Sequence, residues 1–114
     1  MKRFIIIFLG IFLACAHEEF GGLGIEVPAG SQKVSNKNPF VIAHVYEDGT
    51  GYKAGLKEGD IIISIDGVPV EGLEYDYIVK NLLRGKVGSV VTLEVKRGKE
   101  ILLFRVMRGK IVLR

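Results

Sequence analysis

Turn chemistry cuts this chain into short extended runs, and that punctuation constrains its fold more than any other feature. Glu47-Asp48-Gly49-Thr50-Gly51, Glu58-Gly59-Asp60, Asp66-Gly67 and Arg97-Gly98-Lys99 are each built from residues that turn a backbone at little cost. The apolar or alternating runs between and around them read as strands: Leu23–Val27, Phe40–Tyr46, Ile61–Ile65, Val90–Lys96, Ile101–Met107 and Ile111–Leu113. Asp66-Gly67 predicts a tight hairpin after the third of them. One stretch breaks the period of two. From Leu73 to Arg84 the apolar residues Tyr75, Ile78, Val79, Leu82 and Leu83 recur on one helical face. Glu74 and Asp76 sit at its positive end, Arg84 in its last turn, and Gly85 suits the position after it. A single helical turn, Tyr52-Lys53-Ala54, stops at Gly55. The expected fold is therefore mainly β with two helices, five to six short strands forming a partly open β-barrel or sandwich. At 114 residues there is room for one domain, and a chain with one cysteine has no internal disulfide to lean on. A domain of about 100 residues buries roughly 60–70% of its unfolded surface, so the core suffices.

The first residues belong to a different physical class. Lys2-Arg3 precede an unbroken apolar run, Phe4 to Ala14, which falls short of the roughly 20 residues that span a bilayer. A basic start, a short apolar middle and small residues after it are the anatomy of a secretory signal. Phe12-Leu13-Ala14-Cys15 is similar to a bacterial lipobox, in which Cys15 becomes the lipidated first residue of the mature protein. Ala14-Cys15-Ala16 also fits a small-x-small cleavage that discards the cysteine, and a leader left uncleaved as an anchor is the third alternative. The expectation is a signal peptide over residues 1–14, a spacer over 15–19, a folded domain over 20–114, and export to the cell envelope as a membrane-anchored lipoprotein facing the periplasm. Residues 15–79 carry 4 basic and 11 acidic side chains, residues 80–114 carry 10 and 2. Such asymmetry fits a charged partner or an anionic membrane surface. The plainer reading, preferred here, takes Lys96, Lys99, Arg105, Arg108, Lys110 and Arg114 as the wet faces of strands. Only one aromatic residue, Phe104, falls among these cations and no nucleic-acid motif is present, so no nucleic-acid partner is expected. His17 and His44 are isolated, so neither metal nor cofactor is implied.

Phe20-Gly-Gly-Leu-Gly-Ile-Glu-Val27 concentrates glycine ahead of a strand. Glycine is the residue most costly to order, and is kept where backbone must turn or stay open. A phosphate loop would need Gly-x-Gly-x-x-Gly leading into a helix, whereas Val27 holds the last glycine position and Pro28 ends a strand. The alternative is a loop whose free N–H groups hold a carboxylate, beside a strand edge open for pairing. With an amphipathic helix to wall it, such an edge makes a slot for an incoming extended peptide.

Three segments together resemble the bacterial PDZ domain, most closely that of C-terminal (tail-specific) processing proteases. They are "FGGLGIEV", "AGLKEGDIIISIDG" (Ala54–Gly67) and "LLRGKVGSVVTLEVKRG" (Leu82–Gly98), and the resemblance covers about residues 20 to 110. It implies that the amides of Leu23, Gly24 and Gly22 receive a terminal carboxylate. Leu23 and Ile25, with Ile78, Val79 and Leu82 on the helix, would accept an apolar last side chain. For the three helix residues, periodicity leaves core and groove equally open. A β-branched residue at Gly24 would then abolish binding with the fold retained. The chain departs from the family at Gly49-Thr50-Gly51-Tyr52, which stands where a Ser-Pro-Ala is usual. The helix is about one residue longer than the pattern, which leaves a one-residue slip of the groove positions open. Glu18 and Glu19 precede the loop where a basic residue is common. No serine has the setting of an activated nucleophile, and the Ser–Lys domain of the proteases is not seen. The function expected is a non-catalytic peptide-binding module that recognises polypeptide C-termini or extended strands, as an adaptor for an envelope protease. The alternatives are a structural assembly protein docked constitutively to an envelope partner, and a split relic of a processing protease.

Overall fold

A computed structural model describes residues 18–113; the leader over residues 1–14, Cys15, His17 and Arg114 lie outside them. Strands β1 (Glu18–Gly22), β2 (Ile25–Glu26) and β3 (His44–Val45) precede a short helix, α1 (Thr50–Ala54). Then come β4 (Ile61–Ile65), β5 (Val68–Pro69), helix α2 (Tyr75–Ile78) continued by a π turn (Val79–Leu83), β6 (Val90–Arg97), β7 (Glu100–Met107) and β8 (Gly109–Leu113). The described residues thus hold eight strands where five to six were expected. The main sheet is antiparallel in the order β5-β4-β6-β7, with β1-β8 and β2-β3 as separate pairs. The sheets stay open and do not close into a barrel. β1 is an added strand because its glycines carry no alternation to read; its pairing comes from β8, at the far end of the sequence, with Phe20 opposite Ile111 and Gly22 opposite Gly109. β5 adds only a hairpin return, and its proline is tolerated because β5 is an edge.

The core follows strand alternation where the sheet is regular. Val91, Leu93 and Val95 on β6 are fully buried, with Val106 opposite Val91 on β7. On β4 the register shifts between Ile62 and Ser64, so that Ile62 and Ile65, three residues apart, both reach the core. Phe40, Ile42 and Ile78 close it from the other side.

An ion pair fastens α1 to the sheet. Asp60 is 1% exposed and accepts from Arg97 Nε and Nη2, each at 2.8 Å, and from the Lys57 amide at 2.9 Å. The same Nη2 donates to the Gly55 carbonyl at the end of α1, 2.9 Å away. Burial pushes the Asp60 carboxyl up, but the Arg97 and Lys57 bonds outweigh it and hold the group below the usual carboxylate range.

The helix over 73–84 is shorter than its periodicity suggested, and half of it is π. The Arg84 amide donates to the Val79 carbonyl at 3.0 Å, a five-residue step that takes up one extra residue. Its end is capped by Arg108, whose Nε donates to the Leu83 carbonyl (2.8 Å), Nη2 to the Leu82 carbonyl (3.0 Å) and Nη1 to Ser89 Oγ (2.9 Å). Arg108 is thus buried, not on a wet strand face, because helix-end carbonyls without amide partners need a donor.

Candidate functional site

Between β2 and α2 lies an open groove of about 300 Å³. Among the described residues, β2 pairs with β3 along one edge only, through Ile25 opposite Val45 and Glu26 opposite His44. Ahead of β2 the loop carbonyls are committed inward: Leu23 O accepts from the Gly51 amide (2.8 Å) and Gly24 O from the Tyr46 amide (2.9 Å). The Leu23 and Gly24 amides meet no acceptor among the described residues. Two free donors beside an unpaired strand edge are the local requirement for holding a carboxylate and adding a strand.

Gly24 has φ 70°, and a Cβ there would stand 2.8 Å from the Gly49 Cα. The turn before α1 therefore clasps the loop backbone to backbone. A β-branched residue at 24 must move main chain, so it would not leave the fold untouched as the sequence suggested.

Gly22, Leu23, Gly24 and Ile25 all line the groove, and of the three helix positions expected there Val79 does. Ile78 does not: it is fully buried in the core. Leu82 is also outside the lining, half-buried against the core. Leu83 stays on the Val79 face as in any helix, while the longer step of the π turn rotates Leu82 away and brings Arg84 to the groove. Phe20 and Ile111, contributed by the β1-β8 pair, complete the apolar wall. Sequence periodicity had included Leu83 on the apolar face, but it assigned Arg84 only to the helix end. Nothing local signals that Arg84 lies over the Phe20 ring, 4.1 Å from its centroid, and so brings a fixed positive charge to the groove.

Towards the start of α2 the groove continues past Glu26, Pro28, Asp76 and Lys80. Asp76 ties the loop there to the helix, its Oδ1 accepting from the Gly30 amide at 2.8 Å. Tyr46 also lines the groove, and on its exposed side it donates its hydroxyl to Glu26, a bond that pushes the phenol above its ordinary value. His44 Nδ1 and Glu58 Oε2 lie 2.8 Å apart on the same exposed side.

Comparison with known proteins gives this geometry a lineage. The profile of the PDZ domain family matches residues 41–97, half of the chain. The chain is 36% identical over 96 residues to the carboxy-terminal processing protease CtpB of Bacillus subtilis, covering 82% of this chain and 18% of that one. It is 33% identical over 93 residues to a probable CtpA-like serine protease of Staphylococcus haemolyticus, covering 82% and 17%. It therefore spans under a fifth of the length of these relatives. Among solved structures, the PDZ domain of a carboxy-terminal protease from Vibrio cholerae, determined with a peptide, superposes with a TM-score of 0.64 at 25% identity, covering 82% of this chain and 98% of that one. Mainly β, two-helixed and open-sheeted, with a groove between an unpaired strand edge and a helix, the chain belongs to the PDZ domain family.

Proposed function

We propose that this chain is a non-catalytic peptide-binding module of the bacterial envelope, held at the membrane through its leader and Cys15, that takes an extended polypeptide or chain end as an added strand on β2. The observation that carries this is the pair of acceptor-less amides at Leu23 and Gly24, set between an open strand edge and Arg84. A terminal carboxylate satisfies both amides and gains charge from Arg84, while an apolar last side chain enters between Leu23, Ile25, Val79 and Leu83. Main-chain bonds to β2 supply affinity without regard to sequence. Kinship with processing proteases supports a role as adaptor, presenting polypeptides to such an enzyme. A one-strand ligand in such a groove binds at about micromolar Kd, near −8 kcal/mol.

The test is a titration with apolar-ended peptides, each as free acid and as C-terminal amide. Binding of the acid alone makes the chain a reader of polypeptide ends. Equal binding of both makes it a reader of internal strands, and binding of neither refutes the peptide-slot assignment. Palmitate incorporation that disappears in Cys15→Ser reads the tether separately.

A further inference from the structure

The outer face of the β6-β7 ladder is apolar and basic at once. The ladder sets Met107 opposite Val90, Arg105 opposite Thr92, Leu103 opposite Glu94 and Ile101 opposite Lys96. Alternation puts these eight side chains on the face away from Val91, Leu93, Val95 and Val106. Four of them are large, apolar and exposed: Val90, Ile101, Met107, and Leu103 at 71%. Lys96 and Arg105 stand among them and Lys99 is in the adjoining turn, all exposed. The nearby carboxylates are Glu94, which accepts from Ser64 Oγ at 2.9 Å, Asp66, which accepts from the Thr92 amide at 2.8 Å, Glu71, which lines one pocket with Lys96, and Glu100 beyond the turn.

A merely solvated strand face has no use for four exposed apolar side chains on one ladder. The core of a protein interface is depleted of charged residues, whereas this face intersperses cations among its apolar groups. The boundary of an anionic bilayer rewards both, taking apolar side chains among the acyl chains and cations at the headgroups. We infer that this face lies on an anionic phospholipid surface. The inference rests on the tether proposed above. Three residues, 15–17, separate the leader from β1 and reach about 10 Å at full extension. β1 pairs with β8, which follows β7 after Arg108 alone, so a tether at Cys15 keeps the ladder within reach of the membrane.

The chain contains no tryptophan, so one introduced tryptophan is a sole reporter. Full chain carrying Ile101→Trp, reconstituted on phosphatidylglycerol vesicles with brominated acyl chains, should be quenched; Val68→Trp, on the opposite edge of the sheet, should not. Leu103→Glu in the Ile101→Trp background should abolish the quenching. Arg105→Ala should shift the docked equilibrium about five-fold towards the undocked state. Thermal unfolding of each variant confirms that the domain is intact. A chain that pellets with anionic vesicles while both reporters stay bright overturns the docking and leaves the tether standing. Equal quenching at both positions, or on phosphatidylcholine as strongly as on phosphatidylglycerol, overturns it as well. A chain that does not pellet overturns the tether and the docking together.

Discussion

Removing the Asp60 carboxylate with Asp60→Ala is the sharpest perturbation of the fold's architecture. Three donors lose their acceptor: Arg97 Nε, Arg97 Nη2 and the Lys57 amide. A bond to a charged group is worth about 1.5–3 kcal/mol, and breaking a buried pair costs about 3–5 kcal/mol. The Arg97 side chain is 30% exposed and keeps its bond to the Gly55 carbonyl, so water recovers part of the loss. That places the cost near the lower bound, about 3 kcal/mol, or a fall in Tm of about 12–24 °C for a domain of this size. Urea unfolding followed by circular dichroism at pH 7 measures it. The pH dependence adds a second readout. Because the folded carboxyl titrates below its unfolded value of about 3.9, its contribution is complete above that value and fades as pH falls through the folded pKa. Wild type and Asp60→Ala should therefore converge in acid. A loss below about 1 kcal/mol at pH 7, or an offset that persists unchanged into acid, would refute the assignment of Asp60 as the charged anchor of α1.

Three further outcomes follow from the site. Arg84→Gln should weaken free-acid peptides about ten-fold, as expected for one charge-assisted contact, and leave amidated peptides unchanged by calorimetry. Arg108→Met should destabilise by about 3 kcal/mol in chemical denaturation, because two helix-end carbonyls lose their donor, and Arg108→Lys should recover only part of it. Gly24→Val should lower stability as well as binding, since its Cβ meets the Gly49 backbone; an unchanged unfolding midpoint would show that the clasp can yield freely.

What the sequence made legible was local. Turn residues around Asp66-Gly67 and Arg97-Gly98 delimit β4, β6 and β7 where they were expected, because a tight turn is specified by the residues that form it. The helix was visible from its apolar spacing, but spacing assumes a constant step. The π turn breaks that assumption, turning Leu82 away from the groove and bringing Arg84 to it. β1 escaped notice because Phe20-Gly21-Gly22 has no alternation, and its partner lies some ninety residues away. Arg108 and Arg84 look alike in a list of cations. Only tertiary packing buries one beneath a helix end and lays the other on Phe20 at the groove.

The β1-β8 pair has a mechanical consequence. Glu18 lies opposite Leu113, so the first and last described residues leave the domain side by side at one end of an antiparallel ladder. A force drawing them apart loads that ladder as a zipper, one hydrogen-bonded pair at a time, instead of shearing all five pairs together. The pairs reached as the zipper opens include Phe20 with Ile111, which are walls of the groove. Tension between the two ends would thus open the groove wall while the four-stranded sheet still held.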